Sequence, residues 1–114
     1  ELQLELGDSG GLETSGYLSA NHRLDNTTLA AYHDTGHFML VNGGSGADPY
    51  SGIIDLTRSG SGSNIWSCTW QVYASSGPSR SWGIGSKTLS GELTQIKLLT
   101  SGTFDAGSWN AYYQ

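Results

Sequence analysis

Alternation is the feature that most narrows what this chain can become. Residues 65–73 read IWSCTWQVY. In an extended chain Trp66, Cys68, Trp70 and Val72 fall on one side, and Ser67, Thr69, Gln71 and Tyr73 fall on the other. Residues 1–6 alternate in the same way, Glu-Leu-Gln-Leu-Glu-Leu. A period of two belongs to a strand with one buried face. Glycine- and serine-rich turns break the chain at intervals of roughly 8–12 residues. Counting runs between them gives candidate strands over 1–6, 16–20, 27–32, 37–41, 52–58, 65–73, 81–85, 93–98 and 109–113. The stretch 21–26 reads as a turn, and 33–36 reads as a hairpin separator because of its Asp-x-Gly. A short helix over 24–32 is the competing reading there, capped by Asp25 or Asn26. The β-branched Thr27 and Thr28 count against it. The expected fold is all-β: an antiparallel β-sandwich, jelly-roll-like, with eight or nine short strands in one domain, 1–114.

Composition matters where it separates folded from disordered. Gly makes up 17 of 114 residues, yet there are 4 Trp and 6 Tyr. Disordered segments lack such aromatics, so the glycines mark tight turns between short strands. Net charge is −5, with no basic cluster. Nucleic-acid binding needs clustered Lys and Arg, so nucleic acid is not expected as a partner. No apolar run approaches the ~20 residues of a spanning helix, so membrane insertion is not expected either. Cys68 is the one cysteine and reads as a small core residue. The chain starts at Glu1 and its one methionine is Met39. It is therefore expected to be a processed or excised piece of a longer protein.

Motifs that carry chemistry are scarce. The carboxylates are scattered through loops and strand ends. No Gly-x-Ser-x-Gly elbow sits between a strand and a helix, so an enzyme is not expected. His33, Asp34 and His37 are close in sequence but lie in a turn, and no metal is expected. The run 43–46 (GGSG) lacks the Lys and helix start of a phosphate loop, and no cofactor is expected. The strongest binding signal is aromatic residues at turns. Tyr50 follows the loop 42–49, Trp82 follows the turn 75–80, and Tyr73 lies on the polar side of its strand. Asp48 and Arg80 neighbour two of them. Sugar rings stack their C–H faces on Trp and Tyr, while Asp and Arg bond the hydroxyls. Asp48, Tyr50, Tyr73, Arg80 and Trp82 are therefore the candidate ligand-binding residues, sought in the loops 42–50 and 75–82. The alternative is that Tyr50 and Trp82 fill the core or a subunit interface.

The C-terminal stretch carries a likeness. Gln95-Ile96-Lys97-Leu98-Leu99 is followed by Ser101-Gly102-Thr103, then Phe104-Asp105-Ala106-Gly107-Ser108, then Trp109-Asn110-Ala111-Tyr112-Tyr113-Gln114. This resembles the C-terminal domains of bacteriophage tail fibres and tailspikes. The likeness covers 92–114 and, loosely in strand order, 52–73. It does not extend to the first 45 residues. Trp109 and Ala111 depart from the paired aliphatics common at those positions. The resemblance implies a sandwich at the distal tip of a homotrimeric fibre, on the virion and outside the cell. It implies adhesion, without chemistry of its own, to a host surface polysaccharide or outer-membrane receptor. Other roles stay open: a trimerisation or folding cap for an upstream tailspike enzyme, a carbohydrate-binding module of a secreted enzyme, or a small hydrolase. In the expected closing hairpin Phe104 packs under the turn and Asp105 accepts from following N–H groups. Gly107 then allows the reversal, and Trp109 and Ala111 face inward.

Overall fold

The computed structural model describes residues 1–43, 48–75 and 79–113. Among these described residues nine strands form: β1 (Leu2–Asp8), β2 (Gly11–Leu12), β3 (Tyr17–Asp25), β4 (Thr28–Asp34), β5 (Phe38–Val41), β6 (Tyr50–Arg58), β7 (Ile65–Ala74), β8 (Ser79–Thr88) and β9 (Gln95–Thr100). All pairings are antiparallel, and the strands divide into two sheets. The larger sheet runs β4-β3-β8-β7-β6. In the smaller sheet Leu2, Gln3 and Leu4 of β1 pair with β9 on one side and with β5 on the other. β2 lies on the β5 side, where Gly7 pairs with Leu12. The fold is thus an all-β antiparallel sandwich, as the alternation predicts.

The core lies between the sheets. β1 contributes Leu2, Leu4 and Leu6, β5 contributes Phe38 and Leu40, and β7 contributes Cys68, Trp70 and Val72. Each such side chain adds roughly 1.5–3 kcal/mol when fully buried. Tyr17 stands edge-to-face on Phe38, with ring centroids 5.0 Å apart. Two inward glycines of β8 make room for the large rings. A Cβ at Gly83 would overlap the Trp70 ring, and one at Gly85 would overlap Phe38.

Side-chain hydrogen bonds link the sheets. Asn21 of β3 donates from Nδ2 to the Met39 carbonyl at 2.8 Å. Ser81 of β8 donates to the Leu40 carbonyl at 2.6 Å. The Met39 N–H donates to Ser19 Oγ at 3.0 Å. The larger sheet therefore grips the backbone of β5 through three buried polar side chains. These bonds explain why β3 runs on through 21–25, within the stretch 21–26 where a turn is expected. Ser19 and Asn21 look polar, but they face inward at 5% and 1% exposure and find partners there. The turn comes later, at Asn26 (φ 56), a residue that tolerates the left-handed region. The competing helix over 24–32 does not form, because Asp25 pairs with Thr28 across that turn.

Two further expectations are overturned. β4 and β5 do not form a hairpin, and they belong to different sheets. Asp34 Oδ1 accepts from the N–H groups of Gly36 and His37, and this Asx turn carries the chain across the sandwich instead of back along β4. The strand over 109–113 is also absent. The chain bends at Ser101–Gly102 and residues 101–113 lie exposed. Phe104 does not pack under a turn, and Trp109 and Ala111 do not face inward: Phe104 is 55% and Trp109 63% exposed. A strand needs a neighbour for its backbone and a surface for its alternate side chains, and the bend takes this segment away from both.

Candidate functional site

The site grows from the side of β8 that faces away from the core. Arg80, Trp82 and Ile84 alternate with inward Ser81, Gly83 and Gly85. Register then decides their neighbours. Trp82 lies opposite His22 of β3 on one side and Gln71 of β7 on the other. The His22 and Trp82 rings stack at 5.8 Å with 21° between planes. Arg80 lies opposite Tyr73, and Gln71 lies opposite Ile53 of β6. Beside Trp82 is a groove of about 260 Å³, lined by Ile53, Asp55, Thr69, Trp70, Gln71, Trp82 and Gly83. That is just below the ~300–1,000 Å³ usual for small-ligand sites.

The five candidate residues divide between two places. Tyr73, Arg80 and Trp82 come together on the outer face of the larger sheet. Tyr73 and Trp82 are each 40% exposed there. Tyr50 begins β6 on the opposite side, half-buried and packed against the core. Burial, then the nearby Asp48 carboxylate, holds its hydroxyl above the usual tyrosine range. Asp48 acts on Tyr50 and is not among the residues lining the Trp82 groove. Of the two loops singled out from the sequence, residues 44–47 and 76–78 lie outside the described residues.

The sequence reading missed His22, Ile53 and Asp55. Alternation shows that each can face outward. It carries no sign that β3 and β6 flank β8 and β7 on the sheet that holds Trp82. Thr69 and Gln71 were legible as the polar side of their strand, but their closeness to Trp82 depends on register.

Chemically, the face offers an indole for stacking, a second ring behind it, and one carboxylate, one amide and one hydroxyl along the groove. That set fits a polyhydroxylated ring: an aromatic plate under its C–H face and polar groups at its rim. No group of three or more His, Cys, Asp or Glu side chains suited to a metal ion occurs among the described residues.

A second cluster lies on the inner side. Lys87 is 5% exposed, and its Nζ meets Glu13 Oε2 at 2.5 Å. The same Nζ lies 5.2 Å from the centre of the Tyr17 ring. Ser90 Oγ bonds both Asp8 and Glu13. Tyr17 donates to the Glu13 carbonyl at 2.8 Å and accepts from the Leu6 N–H at 2.8 Å. Every member has a partner in the cluster, so it reads as a clasp joining the β1–β2 hairpin to β3 and β8.

No family model matches the chain, and neither a curated protein nor a solved structure is similar to it.

Proposed function

We propose that the chain is a receptor-binding domain from the tip of a phage tail fibre or tailspike. It would hold a host surface glycan on the outer face of its larger sheet and do no chemistry of its own. The observation that carries this is Trp82: a tryptophan on an exposed sheet face, backed by the His22 ring and flanked by a groove with polar lining. Tyr73 and Arg80, adjacent across β7 and β8, extend the same face. The sequence likeness at the C-terminus supports the adhesive role and a trimeric assembly. The groove lining includes a single carboxylate, Asp55, whereas glycoside hydrolysis ordinarily takes two. That supports binding over cleavage.

The test is adsorption of the purified domain to an array of bacterial surface polysaccharides, run beside Trp82→Ala and Tyr73→Ala. Trp82→Ala should weaken retention tenfold or more with an unchanged circular-dichroism spectrum, since one well-used stacking contact is worth about 1.5 kcal/mol. Equal retention of the wild type and Trp82→Ala would remove the site. Sugar released from the array would favour a hydrolase instead.

A second reading, a trimerisation or folding cap, is favoured by a different observation. The segment 101–113 carries four large aromatic side chains that the single chain leaves exposed. On this reading assembly is the domain's work, and Trp82→Ala leaves it intact.

A further inference from the structure

The two sheets are unequal. The smaller is three strands wide, with β9, then β1, then an edge shared by β5 and β2. It faces a sheet of five. A narrow sheet cannot roof a wide one, and the core margin shows the consequence. Tyr50, Ile54, Leu56, Trp66, Leu93 and Leu98 pack against the core yet stay only partly buried. Ile96 of β9 shares its side with Leu98 and is 39% exposed. β9 pairs with β1 alone among the described residues, so its other edge presents free N–H and C=O groups.

The segment that follows β9 has the complementary properties. Residues 101–113 carry no Lys or Arg and one carboxylate, Asp105. Phe104, Trp109, Tyr112 and Tyr113 are 55, 63, 91 and 97% exposed. Trp109, Ala111 and Tyr113 alternate with Asn110 and Tyr112, the period of a strand. So the smaller sheet lacks a strand, and a strand-patterned segment lacks a sheet.

We propose that residues 101–113 form an exchanged strand, which adds to the open edge of β9 in a second copy of the chain. Its alternate aromatic side chains then cover that copy's half-buried core margin. The second copy is the occupant because the bend at Ser101–Gly102 carries the segment off its own sandwich. Reach is sufficient: thirteen extended residues span about 43–47 Å, against a longest molecular dimension of 42 Å. Area is sufficient too. An aromatic side chain buries about 150–250 Å². Trp109 and Tyr113, on the side that meets the margin, begin 63 and 97% exposed and bring roughly 240–400 Å² per segment. The receiving surface about doubles it, and a reciprocal exchange of two segments doubles it again, to about 1,000–1,600 Å², reaching the range of stable interfaces. Exchange of one element between identical copies is a low-cost route to assembly. This inference rests on the assembly half of the functional reading and is independent of the glycan site.

The test compares the full chain with a chain ending at Thr100, by light scattering and by hydrogen exchange. The full chain should be oligomeric with slow exchange at the β9 amides. The shortened chain should be monomeric, with fast exchange on β9 and retained protection on β1 and β7. If the shortened chain does not fold, Trp109→Ser/Tyr113→Ser in the full chain replaces it, with association weakened at least tenfold. A monomeric full chain with protected β9 amides means the segment folds back on its own sheet, and overturns the proposal. An oligomer that survives shortening overturns it too. So does loss of the oligomer with β9 exchange unchanged, since that marks contact between segments and not strand addition. Trp82→Ala should leave mass and exchange as they were, so failure of the glycan site is read separately.

Discussion

A lysine at 5% exposure has given up most of its water, and Glu13 at 2.5 Å and the Tyr17 ring replace it. Removing one partner of such a pair strands the other, which costs more than the pair contributes. Lys87→Met should destabilise the fold by about 3 kcal/mol by urea titration, at the low end for buried pairs because Glu13 keeps 22% exposure. Adding Glu13→Gln should recover part of that loss. The acid side of the clasp sets a pH dependence. Asp8 is held below its ordinary 3.8 by the Ser90 hydroxyl and then the Gly10 N–H. Glu13 is held below its ordinary 4.5 by Lys87 and then the Ser90 N–H. The unfolded chain therefore takes up protons at a pH where the folded one does not. This contribution is complete above the ordinary values and is lost as pH falls through them and beyond. The urea midpoint should stay level from about pH 7 to pH 5 and drop below about pH 4; a midpoint that rises on acidification would contradict the assignment. Cys68 offers a separate probe, since burial pushes its thiol up to about 12. It should resist alkylation in the native state and react once the sandwich opens.

At the scale of the strand, the sequence showed which residues share a side and little about which strands meet. Residues 65–73 were read correctly, with Cys68, Trp70 and Val72 buried, because nine residues of clean alternation leave one solution. β3 was read too short because Asn21 looks like a turn residue until the Met39 carbonyl is placed beside it. The Trp82 groove was legible only in part. Trp82, Tyr73 and Arg80 could be named, but His22 and Asp55 reach it through register, which no local pattern encodes. Gly83 and Gly85 of β8 are fitted positions, since a Cβ at either would overlap a core ring. Gly83 accommodates the Trp70 ring and lies beside the Ala20 carbonyl. Gly83→Val should cost about 1–3 kcal/mol or more through overpacking. It should also weaken any ligand held at Trp82, since the same residue lines the groove. A variant with unchanged thermal midpoint would show that β8 can shift away from Trp70 at no cost.

At the scale of the molecule, the two proposed activities occupy different surfaces. The ligand face is the outer side of the larger sheet, and assembly uses the edge of the smaller one. If both proposals hold, the two contacts use different sheets, and their product is avidity. Each copy brings one Trp82 face. Holding several faces on one particle makes every binding event after the first intramolecular, with gains of about 10²–10⁴ when the spacing suits the surface. Shortening the chain at Thr100 should therefore leave the affinity for a short soluble oligosaccharide unchanged, because Trp82, His22 and the groove lining stay in place. The same change should lower retention on a polysaccharide-coated surface by two or more powers of ten. Trp82→Ala should show the opposite split, an intact particle that has lost both the soluble and the surface ligand. If shortening weakens soluble and surface binding equally, the exchanged segment touches the ligand site itself, and the division of labour between the two sheets is wrong.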